Sequence, residues 1–362
     1  MNQEEFINHR LSKRLVFSFV DNNKVQQLLS QIDSINKEWQ ISSSLPPQFL
    51  EKLETNTIIS STGASTRIEG SKLSDEQVEL FLRQTKMRKL ETRDQQEVAG
   101  YLEMIKQTFD DFESIELEEK TIKQAHSILL KYSQKDDKHR GGYKTQSNQV
   151  VAIDDQGQVV GVIFNPSSVE ETPTEMKDLM NWTQFVLKNK LVHPLLAISN
   201  FVFEFLSIHP FKDGNERISR ILTNLLLLKS NYSFVKYISN ERLVEKTKVE
   251  YYLALRKSTN TWKTESEDLT PWLFYFLEIL QKQGKLALDL TKNEDPESLL
   301  SQKQVQVWKV ILESDMVARK ELAERAGLSL KTVEDTVKKL LRMNKIERIG
   351  EGRATRYRVK NK

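Results

Sequence analysis

The chain has 362 residues, 38% hydrophobic and 29% charged, enough apolar material for two or three domains with real cores. It contains no cysteine, so disulfides and thiolate metal sites are excluded. The N-terminus, MNQEEFINHR, has no apolar signal region, and no apolar run approaches the ~18 residues of a membrane span, so no membrane association and a cytoplasmic location are expected. The net charge of +3 is unevenly spread. Residues 299–362 hold 16 Lys/Arg against 8 Asp/Glu, a net +8, while the other 298 residues hold 38 against 43, a net −5. A basic tail on an acidic body suggests two roles in one chain.

Residues 1–95 read as a polar, helical N-terminal region interrupted by a loop at 42–47. Within it, STRIEG (65–70) belongs to a helix that Gly70 interrupts, and Ser74 or Asp75 offers a fresh N-cap. Two amphipathic helices follow between about 96 and 135, the second carrying Ile122, Ala125, Ile128 and Leu129 at helical spacing. NQVVAID, DQGQ and VVGVIF then form two β-rich runs joined by a polar turn, the signal of a hairpin over 148–164. Helices resume after Pro173, with one apolar stripe at Leu195, Ile198, Val202 and Phe205 and another at Ile218, Ile221, Leu222 and Leu225. The polar, acidic LTKNEDPES (290–298) reads as a linker. Beyond it, helices are expected at 300–313, 319–326 and 329–343, followed by KIERIG and TRYRV as short strands, the order of a winged helix-turn-helix. The expected fold class is mostly α: a helical core over 96–289 with a β-hairpin, plus a small winged-helix domain over 299–362.

Between the two apolar stripes lies HPFKDGNERISR (209–220). A connection between buried helices that is full of charge is unusual, because such loops normally lie in solvent. Gly214 permits a sharp bend, and Asn215 opens the next helix, whose free N–H groups and dipole suit an anion. Arg217 and Arg220 are three apart, so their guanidinium groups share a helix face and suit phosphate oxygens. Asp213 offers a hard oxygen for Mg²⁺, and His209 a base for work near neutral pH. Phe211 is most simply an anchor. Each residue alone has a plainer reading as a capped helix junction. Together they fit phosphoryl or nucleotidyl transfer, which needs mainly positioning and charge stabilisation.

The stretch resembles the signature loop of Fic-domain proteins, His-x-Phe-x-Asp/Glu-Gly-Asn-Gly/Lys-Arg-x-x-Arg, at His209, Phe211, Asp213, Gly214, Asn215, Arg217 and Arg220. The upstream hairpin and YYLAL (251–255) in a following helix extend the resemblance over roughly 60–285. It implies transfer of AMP from ATP to a hydroxyl side chain of a protein. By the same resemblance, His209 would be the base and Asp213 would hold Mg²⁺. Gly214 and Asn215 would cradle the phosphates, and Arg217 and Arg220 would bind the β/γ end. Tyr251 and Tyr252 would lie against the adenine, or serve only as core aromatics. The hairpin would align a target protein by strand addition. STRIEG is similar to the family's inhibitory motif, Ser/Thr-x-x-x-Glu-Gly/Asn, in which the glutamate, here Glu69, pairs with the second arginine, here Arg220. Autoinhibited relatives often self-associate, so a homodimer is one expected form.

The chain departs from the family pattern at Glu216, where Gly or Lys is usual. A glutamate in the first helical turn favours the dipole, but beside nucleotide phosphates it repels them. In the C-terminal segment, Lys331 and Thr332 open the recognition helix and Arg353, Arg356 and Arg358 decorate the wing, which suits DNA. Glu334 and Asp335 oppose it, leaving a protein partner open. The alternative to an autoinhibited transferase is therefore a DNA-binding regulator whose core has lost efficient catalysis and senses nucleotide.

Overall fold

The computed structural model describes residues 1–42, 47–83, 90–153, 159–292, 300–343, 345–350, 352 and 355–360. The chain forms two compact units, Met1–Leu288 and Asp289–Lys362. The first opens with helices α1 (Gln3–Asn8), α2 (Arg10–Lys13), α3 (Phe19–Ser42), α4 (Pro47–Ile68), α5 (Asp75–Arg83), α6 (Arg93–Asp111) and α7 (Glu119–Leu129). Strands β1 (Val150–Ile153) and β2 (Val159–Phe164) follow. Then come α8 (Thr172–Asn189), α9 (Pro194–Ile208), α10 (Asn215–Lys229), α11 (Asn240–Lys246), α12 (Lys248–Thr259) and α13 (Thr270–Lys292).

Helix α9 is the central rod. Every residue from Leu195 to Ile208 is buried, as a helix that is apolar on nearly all faces must be. Its start is set by Pro194 in the first turn and by His193, whose Nδ1 accepts the Leu195 N–H. Helices α8 and α10 pack on it, and α10 buries Ile218, Ile221, Leu222 and Leu225. Helix α4 fits against α6 and α11 through small and β-branched residues, among them Thr57, Ser61, Ala64 and Ser65, all buried. It stops where Gly70 takes φ +101° and the Ser71 N–H returns to Thr66 O, which sets Glu69 at its very end. Ser74, rather than Asp75, caps α5: Gln77 N–H reaches Ser74 Oγ at 3.4 Å, and Gln77 Oε1 accepts the Ser74 N–H at 2.9 Å.

The two strands pair antiparallel, with Val150 opposite Phe164 and Ile153 opposite Val159, and β2 borders α12. Their connecting turn, 154–158, lies outside the described residues. Helix α13 continues through Leu290, which is buried, so the first residues of the expected linker are helical; 293–299 lie outside the described residues.

In the second unit, α14 (Gln302–Leu312), α15 (Arg319–Ala326) and α16 (Leu330–Arg342) precede β3 (Ile346–Ile349) and β4 (Arg356–Val359). The strands form a small antiparallel sheet with Ile346 opposite Val359, and Tyr357 also bridges to Val317. Trp308, Ile311, Leu322, Val337, Leu340 and Tyr357 form part of this unit's own core. Arg353 lies outside the described residues.

Candidate active site

Two left-handed residues shape the 209–214 loop. His209 closes α9 with φ +52°, and Gly214 opens α10 with φ +81°. At Gly214 a Cβ would be strained by the left-handed backbone, which favours glycine, and would also press on the Leu129 side chain, with Cδ2 at 2.9 Å. The Asn215 side chain spans the turn, its Oδ1 accepting the Phe211 N–H at 2.9 Å and its Nδ2 donating to Phe211 O at 2.8 Å. The Asn215 amide is thereby fixed, with one of its two Nδ2 hydrogens engaged by Phe211 O. Gly214 provides no side-chain cap, so the first turn of α10 has N–H groups to offer an anion, although the Glu216 N–H is shared with its own carboxylate.

Phe211 is fully buried and stacks on His126 with ring centroids 3.9 Å apart. His126 Nδ1 accepts the Gly141 N–H at 2.9 Å, so Nε2 carries the proton and donates to Asp213 O at 3.0 Å. Burial pulls this imidazole down to about 4, which keeps it neutral. His126 is a residue that sequence reasoning missed. Its one signal was its place beside Ala125 on the apolar stripe of α7.

His209 is 7% exposed. Its Nδ1 lies 3.3 Å from Leu206 O, which assigns the proton to Nδ1 and the lone pair to Nε2. Burial, joined by the charge of Lys144, pulls its pKa down to about 4, so Nε2 is free to take a proton at neutral pH. The Glu216 carboxylate turns inward and lies 3.8 Å from that nitrogen. Burial pushes the Glu216 carboxyl up, against the pull of its own backbone N–H and of Arg220.

The two arginines separate at their tips. Arg217 Nη2 meets Asp213 Oδ1 at 3.0 Å and Nη1 lies 3.3 Å from Glu97 Oε2. Arg220 reaches the end of α4: Nε donates to Ser65 Oγ at 2.8 Å, and Nη2 donates to Ser65 O at 3.1 Å and to Glu69 Oε1 at 2.7 Å. Burial, with the like charge of Glu216, pushes Glu69 up despite Arg220. Arg217 Nε and Arg220 Nη1 are buried without a hydrogen-bond partner, donors that an anion could satisfy. Asp213 Oδ1 also accepts the Gly214 N–H at 2.6 Å, and Oδ2 accepts from Arg93 at 2.6 Å. Burial alone would raise Asp213; Arg217, Arg93 and that N–H outweigh it and hold the carboxyl below its ordinary range.

Tyr251 and Tyr252 part company. Tyr251 is buried edge-on to Trp272 and Tyr275, at 5.5 and 5.7 Å, so it belongs to the core. Tyr252 stays half-buried, and its hydroxyl is pushed up by burial and by the nearby Glu69 and Glu216. Among the described residues, no cluster of three or more acidic or histidine side chains is arranged to hold a metal, and no helix is long and apolar enough to cross a membrane.

Residues 116–227 match the Fic/DOC family. It is 29% identical over 92 residues to protein adenylyltransferase fic-1 of Caenorhabditis elegans, covering 25% of this chain and 17% of that protein. It is 38% identical over 73 residues to protein adenylyltransferase Fic of Aedes aegypti, covering 19% and 15%. The matched stretches thus span less than a fifth of the length of these curated relatives. Among solved structures, a Fic family protein from Desulfovibrio desulfuricans G20 aligns with a TM-score of 0.61 at 22% identity over 96% of this chain and 98% of that one, which establishes a mostly helical Fic fold.

Proposed function

We propose that the Met1–Leu288 unit transfers AMP from ATP to a hydroxyl side chain, on a target protein or on itself, and that it rests in a self-blocked state. The observation that carries this reading is Glu69 on Arg220 at 2.7 Å, with Ser65 accepting from the same guanidinium. Those donors are the ones a terminal phosphate needs. A carboxylate there also puts negative charge where that phosphate would lie, so ATP would bind with its α-phosphate misplaced for in-line attack.

With Glu69 withdrawn, the roles that the resemblance implies are compatible with this geometry. His209 Nε2 takes the proton of the attacking Ser, Thr or Tyr hydroxyl. The oxygen bonds to the α-phosphorus, the bond from that phosphorus to the bridging oxygen of the β-phosphate breaks, and pyrophosphate leaves. Arg217, Arg220 and the first N–H groups of α10 bear the charge of the phosphates. Asp213, ionised at neutral pH, fits the part of a Mg²⁺ ligand together with the phosphates, where the ion would neutralise polyphosphate charge. Tyr252 would border the adenine. The 148–164 hairpin would take up an extended segment of the target by strand addition.

Glu69→Gly tests the reading. The full chain incubated with α-labelled ATP and Mg²⁺ should gain label well above the parent, and His209→Ala in that background should lose it. Equal label in parent and Glu69→Gly would remove the self-block, and label that persists without His209 would remove the mechanism. One observation favours the second reading, a regulator that senses nucleotide and binds DNA through 299–362: the inward Glu216, 3.8 Å from His209. It predicts nucleotide binding without label transfer.

A further inference from the structure

Consecutive carbonyls of the loop that carries His209 are all received by two residues at the root of the β1–β2 hairpin. Lys144 Nζ donates to Ile208 O at 3.0 Å, and the Lys144 backbone N–H donates to Pro210 O at 2.8 Å. Asn148 Nδ2 donates to His209 O at 3.4 Å and to Phe211 O at 3.0 Å. Lys144 Nζ also donates to Asn148 Oδ1 at 3.1 Å, which fixes the amide so that its N–H groups face the loop. Residues 208 to 211 are buried, so each of these carbonyls requires a donor from the protein.

The loop has a second need. A non-glycine residue in the left-handed region costs ~1 kcal/mol or more and persists only where its surroundings over-determine it. His209 is such a residue, at φ +52°. From within its own segment it is held by the helical bond from its N–H to Phe205 O and by the turn that Asn215 spans. From outside the segment, Asn148 holds the His209 carbonyl and Lys144 holds the carbonyls on either side of it, those of Ile208 and Pro210.

We propose that Lys144 and Asn148 are positioning residues for His209. They lock the loop that presents Nε2 to the site, and they tie that loop to the hairpin on which a target segment would dock. The proposal rests on the reading of His209 as the base and deepens it, because seating of a target on the hairpin and placement of the base become one mechanical event. Lys144 adds an electrostatic part. It is 3% exposed, and its ammonium disfavours a second positive charge on the neighbouring imidazole. The charged groups facing His209 are Lys144, Glu216, Glu69 and Asp213, and the carboxylates act in the opposite sense.

The test uses the full chain with two readouts. One is the His209 imidazole titration by NMR, assigned with His209→Ala. The other is kcat and the KM for ATP of self-modification in the Glu69→Gly background. Lys144→Met and Asn148→Ala should each lower kcat at least about tenfold, since displacements near 1 Å are that costly, with the KM for ATP unchanged within about twofold. Lys144→Met should also move the His209 titration upward by about one pH unit, and Lys144→Arg should restore both. A folded Lys144→Met with kcat and the His209 titration unmoved overturns the proposal, as does a loss confined to the KM for ATP. Should Lys144→Met fail to fold, Asn148→Ala and Lys144→Gln, which keeps a donor without the charge, decide on the same readouts. If the Glu69→Gly background takes no label, the transferase reading falls by itself, and the His209 titration still decides whether Lys144 acts on that imidazole.

Discussion

Around the 209–220 loop both arginines of the motif are buried and find partners from distant parts of the chain, Arg220 with Glu69 and Arg217 with Glu97; Asp213, four residues before Arg217, also meets it and the exposed Arg93. In the Asp289–Lys362 unit, charge lies at the surface and pairs along a single helix, between neighbouring helices or across one hairpin. Lys338 meets Glu334 four residues away at 2.9 Å, and Arg358 meets Glu347 at 2.5 Å. Exposed pairs of this kind are screened and contribute little, whereas breaking a buried pair strands a charge in a poor solvent. A single residue near the loop can therefore act as a switch. The basic unit can act only through its summed field.

That contrast predicts effects of graded size. The largest belongs to His209→Ala in the Glu69→Gly background, where loss of the base should cut label transfer by about 10³-fold, within the range for general-base catalysis. Next is His126→Leu. It strands the Gly141 N–H and the Asp213 carbonyl and weakens the stack on Phe211, and should cost about 2–3 kcal/mol in denaturant unfolding. A cost near zero would mean that the loop holds its shape without α7. Neither His126 nor His209 should take up a proton at pH 6, since burial draws both down to about 4; an NMR titration of the folded chain checks this directly. Glu216→Gly should be smaller. Removing a carboxylate from the mouth of the anion site should tighten ATP binding by about tenfold, a one-charge effect in a partly screened site. Unchanged binding by calorimetry would show that this carboxylate bears on His209 and not on the phosphates.

How much of this was legible in the sequence follows the same division. The stripes of α9 and α10 and the turn at Gly214 are written in local periodicity, and the residues within 209–220 fix their own register. Glu69 could be singled out only because STRIEG resembles a motif; its spacing carried nothing. Lys144, Asn148, His126, Arg93 and Glu97 were not legible. Each meets the loop across a long stretch of chain, 64 residues for Lys144 to Ile208 and 120 for Arg93 to Asp213. Periodicity reports which face of an element is buried, and it is silent about what that face meets. Tyr251 and Tyr252 show the finer limit. Adjacent residues on a helix point about 100° apart, so Tyr251 is buried against Trp272 and Tyr275 while Tyr252 stays half-buried.

The smallest effect is expected in the basic unit, and it tests whether its field acts as a sum. Ser329 caps α16, accepting the Thr332 N–H at 3.2 Å, which leaves Lys331 exposed on the first turn. Glu334 is held below the usual carboxylate range by its bond to Lys338, so its charge persists at neutral pH and is offset locally. If 299–362 binds DNA through phosphates, Lys331→Ala should weaken binding of the full chain only a few-fold, alike for unrelated sequences, and lower the salt slope by about one. The same few-fold loss with an unchanged slope would mean that Lys331 contacts something other than phosphate. A loss restricted to one DNA sequence would make it a base-reading residue, and α16 would then resemble the 209–220 loop in having single residues that decide.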